Sequence, residues 1–285
     1  MAKTSSTVGT GISGTARRAI NDPKMTLLAR FGYATKGLVY VVVGWLALLA
    51  AFGTGGATTD RKGVITAIFQ EPFGKVLVAV VIFGLACYAL WSFAQAAFDT
   101  EGDGSKPKGI AKGVFHAAVG VSYAALAFAA LQLVLGKGST GKSSDQNTQD
   151  WTAEFLKQPF GKWLVIIGGL VVLGVAGAQF YRAYSKKFEK HLDLSQMNAN
   201  TKKFAAGFGR FGLVARGLVF GIIGIFLIVA AMQQDASKAK GLGGALQEVS
   251  QQPYGQVLLG FVGLGLLAYG VFSFFEARYR RIGKA

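Results

Sequence analysis

The chain of 285 residues carries 52% hydrophobic and only 15% charged residues, with 40 glycines and a net charge of +16. Soluble chains carry about 25% charged residues, so the composition excludes an ordinary soluble domain and reads as that of a membrane protein. The basic excess is not a nucleic-acid signature, because no stretch outside the apolar runs interleaves aromatic with basic residues, and the single cysteine, Cys87, excludes an intrachain disulfide or a thiolate metal cluster.

Residues 1–27 are rich in Ser, Thr, Gly and Ala, lack an apolar core and are expected to form a disordered cytoplasmic tail. Six runs without a charged side chain follow, at 37–52, 76–98, 113–135, 163–181, 217–232 and 257–275. A spanning helix needs roughly 17 to 25 mostly apolar residues, so the first and fifth runs must borrow flanking small or polar residues. Counted alternately from the N-terminus, the segments of one side hold 21 of the 30 Lys and Arg, and the positive-inside bias therefore places both termini in the cytoplasm.

The runs are paired by a motif that occurs three times: QEPFGK at 70–75, KQPFGK at 157–162 and QQPYGQ at 251–256. Its Pro-aromatic-Gly centre is Pro72-Phe73-Gly74, Pro159-Phe160-Gly161 and Pro253-Tyr254-Gly255. Proline lacks an amide hydrogen and has a fixed φ, which suits the end of one segment and the first turn of the next helix. The glycine lets another backbone approach closely. The first helix of each pair opens with Lys36-Gly37, Lys112-Gly113 and Arg216-Gly217, followed seven residues on by Gly44, Gly120 and Gly224. Glycines seven apart share a helix face, and in lipid small residues allow the close backbone packing that holds helices together. Each loop before the motif ends in a short amphipathic stretch, such as Val64, Ile65, Ile68 and Phe69, expected as an interfacial helix. Each second helix closes on aromatic residues around Phe93, Phe180 and Phe274, with Gln95, Arg182 and Glu276 in a common position.

The expected fold is an all-α polytopic membrane bundle of six transmembrane helices in three two-helix repeats, 28–103, 104–190 and 204–281, in a pseudo-threefold arrangement. A cytoplasmic linker, 191–203, joins the second repeat to the third. These motifs resemble the bacterial membrane family known as domain of unknown function 1206, over nearly everything beyond the tail. The resemblance implies a multi-pass protein of the bacterial inner membrane and brings no catalytic residue or ligand with it. The middle repeat departs most: Lys108 stands where the first copy has Gly32, and Arg182 where it has Gln95.

No paired carboxylates, zinc pattern or phosphate loop marks an enzyme, and no cofactor, metal or catalytic residue is expected. His116 takes the position of Tyr40 and Phe220, so a packed ring is the simpler reading than a haem ligand. Lys36, Lys112 and Arg216 with Gln95, Arg182 and Glu276 are candidate anion or lipid-headgroup contacts near the cytoplasmic ends of their helices, with Glu276 paired to a cation. The first functional reading is a non-enzymatic structural or accessory component of a membrane assembly, in contact with anionic lipids and other membrane subunits. The second is a small channel or transporter for an anion, or for a solute resembling a lipid headgroup, with a cytoplasmic basic vestibule.

Overall fold

The computed structural model describes residues 23–53, 61–70, 72–98, 107–136 and 143–281. Most of the expected disordered tail and the tips of the first two hairpin loops lie outside them. Six long helices are present: α1 (Pro23–Ala51), α3 (Gly74–Phe98), α4 (Pro107–Val134), α6 (Gly161–Ser185), α7 (Ala199–Gln233) and α9 (Gly255–Tyr279). All six are long and apolar enough to cross a membrane. Three short helices, α2 (Arg61–Gln70), α5 (Ser144–Leu156) and α8 (Leu242–Gln251), precede the second helix of each pair, and no β-strand forms among the described residues.

The two short apolar runs gain length at their N-terminal ends. Residues 23–27, expected as the end of the tail, are helical, so α1 has 29 residues. Residues 199–203, expected as linker, are the first turns of α7, which has 35 residues and is capped by Asn198 accepting from the Thr201 amide. At 1.5 Å per residue these helices reach roughly 43 and 52 Å, well beyond a hydrocarbon core of about 30 Å. The remaining linker tucks against the end of α9: the Asp193 amide donates to the Tyr279 carbonyl and Leu192 is buried.

The Pro-aromatic-Gly motif works differently from expectation in one respect. Each second helix begins at the glycine, not at the proline, and the exposed aromatic residue before it takes left-handed backbone, with φ of 63° at Phe73, 64° at Phe160 and 60° at Tyr254. The glycine does admit a close backbone approach: a Cβ on Gly161 would lie 1.8 Å from the Phe155 carbonyl oxygen, and one on Gly255 2.1 Å from that of Ser250.

Each second helix packs on the first helix of another repeat, α3 on α4, α6 on α7 and α9 on α1. Within the first and third repeats, α1 also packs on α3 and α7 on α9, but α4 and α6 hardly touch. The closest seam joins α1 to α9, where a Cβ on Gly44 would lie 2.5 Å from the Leu267 amide nitrogen. Such contact of backbone on backbone is how helices gain dispersion energy in lipid.

The glycines also fix the register, and here the second repeat differs from the sequence alignment. The lone hydrogens of Gly37 and Gly217 face Phe274 and Phe180, which are equivalent to Phe93. Phe93 meets Gly120, not Gly113, which sits further along α3 beside the Ala96 carbonyl. Helix α4 is therefore displaced by seven residues, two turns or about 10 Å. In space, Val119-Gly120-Val121-Ser122-Tyr123 corresponds to Lys36-Gly37-Leu38-Val39-Tyr40. The chain length agrees: Gly120 precedes its motif glycine by 41 residues, against 37 for Gly37 and 38 for Gly217, whereas Gly113 would need 48.

Candidate functional site

Six cationic or polar positions were expected to converge, and the structure brings together only part of that set. Successive long helices run antiparallel, with Thr35 against Gly84 and Gly32 against Tyr88 in the first repeat, and Ala215 against Gly265 and Gly212 against Tyr269 in the third. Gly84 and Gly265 lie ten residues into α3 and α9, about 15 Å from their hairpin ends. Lys36 and Arg216 therefore sit about half-way along α3 and α9 on these two seams, while across the α1–α9 seam Lys36 reaches Glu276 in the last turn of α9, the end where the sequence placed the pair.

Lys36 Nζ donates to Glu276 Oε2 at 2.9 Å and to the Tyr269 hydroxyl at 3.2 Å. The other carboxylate oxygen, Oε1, accepts from Arg280 Nη1 at 2.7 Å. Lys36 is 5% exposed and Glu276 7%, so the pair is shut off from solvent. Because Lys36 is on α1 and Glu276 on α9, this bond locks the first repeat to the third. Aromatic rings complete the enclosure. Lys36 Nζ lies 4.7 Å from the Tyr33 ring centre, 5.2 Å from that of Tyr269 and 5.4 Å from that of Tyr88. The Tyr33 hydroxyl accepts from Trp91 Nε1 at 3.4 Å.

Arg216 has a different environment. The position across the α6–α7 seam that corresponds to Glu276 is Arg182, another cation, so Arg216 finds no acid there. Its guanidinium lies over rings instead, 4.3 Å from the centre of Tyr269 and 5.3 Å from those of Tyr40 and Phe220. Its Nε is inaccessible and has no hydrogen-bond partner. Tyr123 stacks edge-on against Tyr88 at 4.5 Å, and Tyr40 against Tyr269 at 4.9 Å. Arg280 lies over the Tyr33 ring at 4.9 Å, so five of the nine tyrosines gather around three cations and one carboxylate.

Lys112 is not part of this cluster, since the displacement of α4 puts Val119 at the corresponding height. The same displacement moves His116 two turns from the level of Tyr40 and Phe220. Gln95 is buried near the end of α3, and Arg182 lies within electrostatic range of Glu276. The tyrosines were missed in the sequence. One signal for them existed: Tyr88 and Tyr269 both stand fourteen residues after their motif glycines, Gly74 and Gly255.

Where α4 and α6 part, a cavity of about 570 Å³ opens beneath α5, lined by Ser122 and Leu126 of α4, Thr148 and Trp151 of α5, and Val165 and Gly168 of α6. Its size falls in the range of small-molecule sites, roughly 300–1,000 Å³. The Ser122 and Thr152 hydroxyls donate to carbonyls of their own helices, Ala118 and Thr148, leaving lone pairs to accept.

The family described as Domain of Unknown Function (DUF1206) matches the chain three times, over residues 31–99, 110–186 and 211–280, one match for each pair of long helices. The uncharacterized protein YxxB of Bacillus subtilis (strain 168) is similar, 35% identical over 263 residues that cover 91% of this chain and 93% of that protein. No solved structure matches.

Proposed function

The chain belongs to the DUF1206 family, and from that premise we propose that it is a non-enzymatic accessory subunit of a membrane assembly, with the opening between α4 and α6 receiving an apolar transmembrane segment of a partner protein. The observation that carries this reading is the asymmetry of the bundle. Among the six spans, α1 and α9 are each 56% buried within the protein, but α4 is 28% and α6 22% buried. The α1–α9 side is closed by glycine contacts and by the Lys36–Glu276–Arg280 bonds, an arrangement suited to a fixed scaffold. Transporter repeats, in contrast, rock against each other around the site.

A partner helix suits the α4–α6 side better than bulk lipid does. Lipid tails offer nothing to the lone pairs of the exposed Ser122 hydroxyl, whereas a transmembrane helix can meet it with small and polar side chains. The distribution of Lys and Arg supports an orientation with both termini cytoplasmic in a bacterial inner membrane, where the basic face attracts anionic lipids.

Site-specific photocrosslinking in native membranes tests the reading. A photoreactive residue at Ala125 or Leu164, on the two walls of the opening, is expected to give a discrete protein adduct. The same residue at Val80, on the outer face of α3, is expected to give none. Adducts with lipid alone at all three positions would sink the proposal.

A further inference from the structure

We propose that Arg216 and the tyrosines around it form a binding site for a small anion. The charges buried between the helices do not balance. Glu276 is the one carboxylate in the cluster, and its two oxygens are taken by Lys36 and Arg280. Among the described residues nothing acidic remains for Arg216, whose guanidinium lies against aromatic rings. A buried guanidinium without a counter-charge is unfavourable in a bilayer, and rings compensate it only in part. The side chain has five N–H donors and no acceptor, and its Nε makes no hydrogen bond.

The surroundings supply a further donor. Lys36 can only donate, so the Tyr269 oxygen accepts that bond and keeps its own hydrogen for another group. The same residue carries the ring nearest the Arg216 guanidinium, at 4.3 Å. The guanidinium and the phenol hydrogen of the ring it lies over are donors that an anion can use. Lys36, Arg280 and Arg216 outnumber the one carboxylate, and this excess of positive charge selects an anion, while the close helix seams select a small one, of the size of chloride or nitrate. Arg216 is half-buried where Lys36 is fully buried.

The test uses the full-length protein in nanodiscs of uncharged lipid, unfolded by heat at constant ionic strength in mixtures of gluconate with chloride or nitrate. The melting temperature of the wild type is expected to rise with chloride or nitrate and to saturate. Arg216→Met is expected to lose that rise and, in gluconate alone, to melt above the wild type, because it removes an unpaired buried charge. Lys187→Gln, at an exposed cation paired with Tyr181, should keep the rise. Absence of anion dependence in the wild type, or a dependence that survives Arg216→Met, would overturn the proposal. Should Arg216→Met fail to fold, equilibrium dialysis of wild type with radioactive chloride decides: saturable binding of one ion per chain supports the site, and no saturable binding overturns it. The site is independent of the accessory role. Chloride flux into liposomes that Arg216→Met abolishes would confirm the site and remove the accessory reading, whereas binding without flux leaves both standing.

Discussion

The strongest consequence of the structure concerns Glu276. Glu276→Gln keeps the shape of the side chain and removes its charge, which strands Lys36 in a site where it is 5% exposed. Removing one partner of a buried ion pair costs about 3–5 kcal/mol, because the remaining charge has neither water nor a counter-ion. Lys36→Met is a milder change. It leaves Glu276 bonded to Arg280 at 2.7 Å and fills the vacated volume with an apolar chain. The double variant strands no lysine, and only Arg280, just past the end of α9, loses its acid, so its loss should fall well short of the sum of the two singles. At roughly 2–4 °C per kcal/mol for a chain of this size class, Glu276→Gln should melt about 6–20 °C below the wild type. Thermal unfolding in detergent, read as the loss of a monodisperse peak on size exclusion, measures all four proteins. A Glu276→Gln melt within a degree or two of wild type, or a double variant whose loss equals the sum of the two singles, would refute the reasoning.

Three further outcomes follow from the helix seams. Gly44→Ala places a methyl 2.5 Å from the Leu267 amide nitrogen and should cost about 1–3 kcal/mol of stability through overpacking, whereas Gly168→Ala, with nothing within 4 Å, should be neutral or slightly stabilising in the same melt. Phe160→Gly relieves a left-handed φ of 64°, a conformation that costs an L-residue roughly 1–2 kcal/mol, so the variant is expected to melt higher than wild type in detergent; a lower melt would show that the exposed ring contributes more than the strain removes. Val119→Lys introduces a third cation at the height of Lys36 and Arg216 and should destabilise by about 3 kcal/mol or more, while Lys112→Gln should leave the melt unchanged; the reverse order would restore the register read from the sequence.

What the sequence made legible was whatever it repeated. The six spans, their pairing by Pro-aromatic-Gly and the close approach at its glycine were readable because the same chemical need recurs three times. The ion pair of Glu276 with a cation was readable because a lone acid at membrane depth must be neutralised. The register of α4 was not, for a definite reason. Gly113 and Gly120 lie a heptad apart on one face, so a glycine-face argument is satisfied equally by either alignment. The packing of Gly120 on Phe93 decides between them, and the Gly-x-x-Tyr spacing shared by Gly37-Tyr40 and Gly120-Tyr123 agrees with it. The tyrosine cluster was hidden because a tyrosine in an apolar run reads first as an interfacial or packing residue, and convergence across four helices has no linear signature.

The displacement of α4 and the opening beside α6 have one origin in the sequence. In the first repeat α1 can approach α3 because Gly32 receives the backbone of Tyr88 and Gly84 receives Thr35; in the third, Gly212 receives Tyr269 and Gly265 receives Ala215. A methyl at Gly32 would lie 2.7 Å from the Tyr88 Cα and one at Gly212 2.6 Å from that of Tyr269, so these contacts exist only with glycine. In the register that the structure adopts, the second repeat has Phe115 in place of Gly32 and Gly212, and Val171 in place of Gly84 and Gly265. Both positions that admit a neighbouring helix elsewhere are filled here by large side chains, and both side chains turn outward, Phe115 46% and Val171 61% exposed. The original alignment offers no glycine either, since it puts Lys108 at that position. Helices α4 and α6 are thus kept apart by their own residues, and the same displacement that separates them replaces a third interior cation with Val119. The closed, charge-locked side and the open side of the bundle are therefore complementary results of how one repeat departs from the other two.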